Sequence, residues 1–383
     1  MIFSGGRGSK SIIKSLNYLN FSLKISLLIN LYDDGKSSGV IRDLFNMPGP
    51  SDSRKLQQLF IEDDNSIPLY KKKIFKLRIS LSPDEFKHKL SKFINDKNSS
   101  LFDIKINDSK FRSKLKKYLK EFTNQIEPYN INCNDLSLMN LIYAGVYISL
   151  KKDINRSIKT ISKLFGITNN IYSCGLRNLY LCGINKKNKI YYTESQIVEQ
   201  RSNENMKEIF LTKNKLDKSY FIGSSNNSQI KKIQQLSIRD KISDEAKILI
   251  SKADIIIYST GTPFSSLYPS YYVKGIGKHI AKNKKAKKVL ITNIGADYET
   301  PDFNANDYIN NTLKYLRYDY NIPIEQLISH CIVNKTTRNH HVSDYVEQKY
   351  LSSFNVIYDF FEKKNQNGIH DHIKLSKILM KII

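Results

Sequence analysis

Asp33 and Asp34 stand side by side directly after the apolar run Ile25–Leu31, and Gly35, Ser37, Ser38 and Gly39 follow at once. Carboxylates at the end of a buried strand lie where open α/β sheets bind their ligands. An acidic pair there suits Mg²⁺, a hard cation that takes oxygen ligands, often one or two carboxylates completed by water and phosphate. The simpler use is an Asp-rich turn capping the next helix. Upstream, residues 3–10 read FSGGRGSK. Gly5, Gly6 and Gly8 let the backbone approach a diphosphate closely, and the helix start behind them offers amide donors, with Arg7, Ser9 and Lys10 available for further contact. The pattern is neither a full G-x-G-x-x-G nor a Walker A sequence, so a plain tight turn competes with it. Downstream, Pro50-Ser51-Asp52-Ser53-Arg54-Lys55 sets a third carboxylate beside a guanidinium suited to bidentate phosphate contact. Asp52 as an N-cap is the alternative there. Far along the chain, Asp254–Ser270 reads as a strand entering a turn of hydroxyls, a loop suited to hydrogen bonding to a base, ribose or phosphate.

These segments need a scaffold that brings distant parts of the chain together. Short apolar runs ending in turn residues mark buried parallel strands at Ile25–Leu31, Ile255–Tyr258, Val289–Thr292, Cys331–Asn334 and Asn355–Tyr358. Helical spacing marks Ser11–Leu19, Leu136–Leu150, Ile154–Phe165 and Asp307–Tyr318 between them. Strands alternating with helices imply an α/β fold, a doubly wound, mostly parallel sheet. Residues 61–130 are rich in Lys, Asp, Ser and Asn, with helices expected at Pro83–Asn95 and Phe111–Phe122. They read as an inserted helical subdomain, leaving 1–60 and 131–383 as the core. Residues 183–243 read as a β-rich or irregular excursion with a loop tip at Ser224–Ser228.

With 383 residues, 40% of them hydrophobic and 11% aromatic, the chain can bury a substantial core. Its net charge of +25 raises the question of nucleic acid. The lysines are scattered, however, in a composition rich in Lys, Asn and Ile, as AT-rich coding produces. The densest run, residues 282–288 (KNKKAKK), reads as a solvated helix end. No recognition-helix, RNA-binding or paired zinc motif appears, so no specific nucleic-acid partner is expected. The four cysteines, Cys133, Cys174, Cys182 and Cys331, have neither metal nor disulfide spacing. His340, His341, His370 and His372 read as surface histidines without a third metal ligand. With no signal peptide and no apolar run near the ~20 residues that span a bilayer, a cytoplasmic protein without a membrane span is expected.

Taken in order, the segments resemble the 2-phospho-L-lactate transferase (CofD/YvcK) family, and the resemblance implies a Rossmann-like core. Its G-G-G-T-G turn is similar to Ser4–Gly8, its A-D-D-G-G-S-S-G-x-x-R string to Tyr32–Arg42, and its P-P-G-D-I-R-N string to Gly49–Lys55. G-N-L-(L/I)-x-A resembles Met139–Ala144, the D-x-I-V-x-G-P-G-S-x-x-T-S loop resembles Asp254–Ser266, and a closing N…E-T…D pattern resembles Asn293, Glu299, Thr300 and Asp307. The resemblance implies that Gly5, Gly6 and Gly8 border phosphates and that Asp34 and Asp52 contact metal or acceptor alcohol, with Asp33 behind them. Asn140 would face the ligand, and Thr262, Ser265 and Ser266 would line the nucleotide side. Departures from the pattern are Arg7 for Thr, Lys36 for Gly, Ser51 for Gly, Lys55 for Asn, and Ser259-Thr260-Gly261 for G-P-G.

Two functions follow. The first is a Mg²⁺-dependent transferase acting on a nucleotide-diphosphate-linked donor, in which a phospholactyl- or phosphoenolpyruvyl-type group moves and a nucleoside monophosphate leaves. Asp34, Asp52 and Arg54 would be catalytic, Asp33, Asp34 and Asp52 would hold the metal, and Gly5, Gly6, Gly8, Ser9, Ser37, Ser38, Asn140, Thr262, Ser265 and Ser266 would bind the ligand. The second is a non-catalytic regulator binding a UDP-sugar, as in the gluconeogenesis and cell-shape branch. Either is compatible with a homo-oligomer.

Overall fold

The computed structural model describes residues 1–19, 23–126, 131, 133–336 and 341–383, and the backbone alone of Lys36. His340 and residues 127–130 of the expected insertion lie outside the described residues. The chain divides into two compact units, Met1–Tyr32 with Tyr172–Ile383, and Asp33–Ile171.

A seven-stranded sheet organises the first unit. Its strands are β1 (Ile2–Phe3), β2 (Ser26–Ile29), β3 (Asn170–Ser173), β4 (Ile255–Tyr258), β5 (Lys287–Ile291), β6 (His330–Asn334) and β7 (Asn355–Asp359), in the order β7-β6-β5-β4-β1-β2-β3. The order grows outward from β1 in both directions, which is the doubly wound pattern. β1 pairs in parallel with both neighbours, Phe3 standing opposite Leu28 on one side and Tyr258 on the other. β4, β5, β6 and β7 continue in parallel. These strands read as unbroken apolar runs because both faces are covered: Leu27, Leu28, Ile256, Ile257 and Val289 are buried. The Cys174 amide donates to the Ile29 carbonyl at 2.8 Å, so the chain leaves this sheet and returns to it at neighbouring points.

All five expected strands are present. β1 and β3 complete the sheet. The 183–243 excursion is a three-stranded antiparallel sheet, Ile190–Tyr191 and Met206–Thr212 flanking Tyr180–Asn185, followed by helices. The expected tip at Ser224–Ser228 is instead a helix start, because the Ser225 hydroxyl accepts from the Ser228 amide and caps Asn226–Leu236. The histidines are not all at the surface. His370 is buried and its pKa falls to about 4 by burial, and His341 Nε2 lies 3.1 Å from Glu362. Lys288, read as part of a solvated run, is buried with its ammonium donating to the Asn283 carbonyl at 2.6 Å.

The second unit is helical. Its helices are α2 (Lys36–Phe45), α3 (Ser51–Asp63), α4 (Leu69–Lys76), α5 (Pro83–Asn95), α6 (Ser109–Ile126), α7 (Leu138–Ser149) and α8 (Ile154–Phe165). Residues 61–126 therefore belong to a larger body that also holds α2, α3, α7 and α8. α5 opens on a capping box, Ser82 with Glu85. α7 is apolar on every side because it is enclosed: Leu138 through Tyr147 are all buried. Its Gly145 passes so close to α6 that an added Cβ would lie 1.9 Å from the Tyr118 carbonyl oxygen. No helix among the described residues is long and apolar enough to cross a membrane.

Candidate functional site

The strand order reverses at the β1–β4 boundary, and ligands of open α/β sheets bind outside the carboxyl ends of the strands at such a point. The turn after β1 and the loop after β4 both emerge there. Ser4 and Gly5 lead into a single 3₁₀ turn, Gly6–Ser9, continuous with helix α1 (Lys10–Tyr18). Gly6 sits at φ +67°, a left-handed conformation that glycine adopts without strain. Gly8 is required for space, since an added Cβ would lie 2.6 Å from the Thr260 carbonyl oxygen and 2.7 Å from the Gly261 Cα. Gly5 likewise faces Ser266, at 2.6 Å from its Cβ.

Hydroxyls tie these two loops together. The Ser9 hydroxyl is within 2.6 Å of Ser4 Oγ and accepts from Ser259 Oγ at 2.8 Å, and Thr260 Oγ1 donates to the Gly8 carbonyl at 2.9 Å. Ser9 is fully buried and braces the turn from beneath. Asn293, just past β5, clasps Gly261 from both sides, accepting from its amide at 3.2 Å and donating to its carbonyl at 3.0 Å. Asn30 donates to the Ser266 carbonyl at 2.6 Å. Thr262 Oγ1 donates to Ser266 Oγ at 2.8 Å, and Ser265 Oγ lies 3.1 Å from Thr262 Oγ1. Gly5, Gly6, Gly8, Ser9, Thr262, Ser265 and Ser266 thus form one group.

The carboxylates form a second group, within Asp33–Ile171. Asp33 Oδ1 accepts from the Gly35 amide at 3.3 Å, closing an Asx-type turn ahead of α2. Gly35 is the N-cap of α2 and Pro50 that of α3, so neither Asp34 nor Asp52 has the capping role. Asp34 and Asp52 are both buried. Burial pushes the Asp33 carboxyl up, but Lys55, the Ser51 hydroxyl, the Gly35 amide and the Ser38 hydroxyl outweigh it and hold its pKa below the ordinary value. Asp52 shifts the other way. Burial raises it and the Asp33 charge adds to that, against Lys55 and Arg54. Lys55 Nζ donates to Asp52 Oδ1 at 3.3 Å. The two neighbouring carboxyls are thus shifted in opposite directions. Asn140 Nδ2 and the Ser137 amide both donate to Ser37 Oγ at 2.9 Å, which fixes Ser37, Ser38 and Asn140 around the start of α2.

Asp33 Oδ2 is buried and has no hydrogen-bond partner among the described residues. That oxygen, with the Asp52 carboxyl, fits a hard divalent cation. Among the described residues no group of three or more His, Cys, Asp or Glu side chains is arranged to hold a metal ion.

The family described as 2-phospho-L-lactate transferase CofD matches residues 1–373. The chain belongs to this family. Curated relatives are the gluconeogenesis factors of Halalkalibacterium halodurans, 23% identical over 81% of this chain and 71% of that one, and of Bacillus subtilis, 22% identical over 80% and 72%. A crystal structure from Bacillus halodurans, of a member of the UPF0052 family, superposes with a TM-score of 0.66 at 19% identity, covering 99% of this chain and 97% of that one. It has the same fold.

Several residues of this family member were not singled out by their sequence context. Glu299 is buried and accepts from the Phe264 amide at 2.7 Å, the Ser265 amide at 3.1 Å and the Ser265 hydroxyl. Arg42 is fully buried and donates to the Asp33 carbonyl at 3.2 Å, pinning the backbone under the acidic pair. Beneath α3, Tyr143 donates to Gln57 Oε1 at 2.6 Å, and Gln57 in turn donates to Ser162 and to the Ile158 carbonyl. Glu299 and Arg42 were legible only as letters of a motif, and Gln57 carried no signal.

Proposed function

We propose that this family member binds a nucleotide-diphosphate-linked small molecule and transfers a phosphorus-containing group from it with Mg²⁺. The observation that carries the reading is the pair of loops at the strand-order reversal, where the Gly5–Ser9 turn abuts Thr260 and Gly261. A helix start behind glycines suits a diphosphate, and the Thr262–Ser266 hydroxyls suit the nucleotide side. Mg²⁺ would be held within the helical unit, by Asp33 and Asp52. In transfer of this kind the protein chiefly positions groups and stabilises charge. Arg54 provides a fork for phosphate oxygens. Asp52 is the carboxylate suited to take a proton from an acceptor alcohol. Asp34 stays at the site as an oxygen contact for metal or acceptor. Nothing in the residues specifies a deazaflavin acceptor.

The curated relatives are named gluconeogenesis factors; a second reading, implied by the resemblance to that branch, is a regulator that binds a UDP-sugar without turnover. Thermal-shift titration with GDP and with UDP-sugars, each with and without Mg²⁺, followed by mass spectrometry of the mixture, separates the two. A transferase gives a nucleoside monophosphate and loses it in Asp34→Asn and Asp52→Asn while both variants stay folded. Stabilisation by UDP-sugar with no product selects the regulator, and full turnover in both variants ends the proposed mechanism.

A further inference from the structure

The Pro263–Leu267 turn begins without a side-chain cap of its own, since Thr262 makes no capping bond. Its first amides, those of Phe264 and Ser265, go to Glu299 instead. A carboxyl from the loop after β5 therefore caps the loop after β4. Asp297 holds the backbone behind that carboxyl by accepting from the Glu299 amide at 2.7 Å. The Met206 amide donates to the Glu299 carbonyl at 2.8 Å and fixes its backbone from a third direction.

Ser265 Oγ carries one proton and has two acceptors, Glu299 Oε1 and Thr262 Oγ1. Beyond Thr262 comes Ser266 Oγ at 2.8 Å. Ser265 is buried, whereas Thr262 and Ser266 are partly exposed, so the row of hydroxyls runs from the core to the surface.

We propose that Glu299 is a positioning residue that sets the direction of this row, so that the Ser266 hydroxyl donates outward to the anionic part of the bound ligand. The inference rests on the nucleotide-diphosphate reading above. With a proton on Glu299, the carboxyl donates to Ser265 Oγ, Ser265 donates to Thr262, Thr262 donates to Ser266, and the Ser266 proton points out of the row. With Glu299 ionised, the Ser265 proton is held inward and Thr262 turns to accept from Ser266. No bond other than hydrogen bonds changes. Burial first, then the Asp297 charge, raises the Glu299 pKa to about 8, so both directions are sampled near neutrality. The ionisable groups facing Glu299 are Asp297, on its own loop and itself raised by burial, and Tyr308 of helix Ala305–Leu316, a phenol raised well beyond its ordinary range. Tyr268 faces Asp297 in turn and is raised as well.

The test measures affinity for UDP-glucose and for GDP by calorimetry from two pH units below the Glu299 value to one above it. Wild type is expected to bind about tenfold more weakly at the alkaline end, the loss of roughly one hydrogen bond. Glu299→Gln, whose amide donates permanently to Ser265, keeps the low-pH affinity at every pH. Glu299→Ala and Ser266→Ala bind weakly throughout. A pH-independent wild type, a Gln variant as weak as the Ala variant, or a Gln variant that keeps the wild-type profile overturns the proposal. Infrared titration of the ligand-free protein provides the separate arm. A protonated-carboxyl band is expected at neutral pH in wild type, shifted in Ser265→Ala and absent in Glu299→Gln; its absence from wild type overturns the relay whatever binds. If neither probe binds wild type while that band behaves as described, the ligand assignment fails and the Glu299–Ser265 link stands.

Discussion

Replacing Gly8 by alanine tests whether the two loops at the strand-order reversal touch as described. The new Cβ would lie 2.6 Å from the Thr260 carbonyl oxygen, where ordinary contact begins at 3.4 Å, so the loops must part by about 0.8 Å. All three of its nearest neighbours are backbone atoms, so no side chain can swing aside. The Thr260 bond to the Gly8 carbonyl, at 2.9 Å, stretches with the same movement. Overpacking of this size costs about 1–3 kcal/mol, which urea denaturation followed by circular dichroism reads directly. Misplacement of binding groups by close to 1 Å weakens or slows a site by up to about 100-fold. Calorimetric titration with GDP or UDP-glucose should therefore show an affinity loss larger than the stability loss alone explains. Wild-type stability together with wild-type affinity in Gly8→Ala would refute the contact and, with it, the shared site of the two loops.

Three further outcomes follow from the charges. Asp33 has a lowered folded pKa and so contributes stability that is present above its ordinary value and lost as pH falls, whereas the raised Asp52 loses stability as pH rises through its folded value. Asp33→Asn should therefore destabilise the fold at neutral pH and Asp52→Asn stabilise it; denaturation midpoints of the same sign would contradict that assignment. Lys55→Asn removes the cation nearest both carboxyls. Because Lys55 is about a third exposed, the loss should be about 1 kcal/mol after solvent screening, accompanied by a higher Asp33 pKa in a carboxyl NMR titration. For Glu299 the folded pKa lies above the ordinary 4.5, so the native state holds a proton that the unfolded chain releases, and wild-type stability should fall as pH rises from there to about 8. Glu299→Gln should show no such fall.

The parallel strands were legible because a strand buried on both faces is written as an apolar run, as in Ile255–Tyr258 and Asn355–Tyr358. β1 contributes only Ile2 and Phe3, too short for a periodicity, and β3 alternates half-buried with buried residues at the chain's return from the helical unit. Asp33, Asp34 and Asp52 stood out because acidic residues after a strand or at a helix start are conspicuous. The opposite shifts of Asp33 and Asp52 were not legible, since they depend on Lys55, Ser38 and Ser51 as neighbours in space. Glu299 and Asp297 sit in a polar stretch that reads as an ordinary surface loop, and only tertiary packing turns Glu299 inward. His370 repeats that error, a polar letter near the end of the chain that the fold buries.

The route of the backbone carries a consequence for how such proteins diversify. Asp33–Ile171 leaves and re-enters the sheet between strands whose ends, Ile29 and Cys174, are hydrogen-bond neighbours. It is therefore a cassette spliced into a closed seam, and exchanging it leaves the strand order intact. The acidic residues ride on the cassette while the glycine turn stays on the sheet, so exchange of the one need not disturb the other.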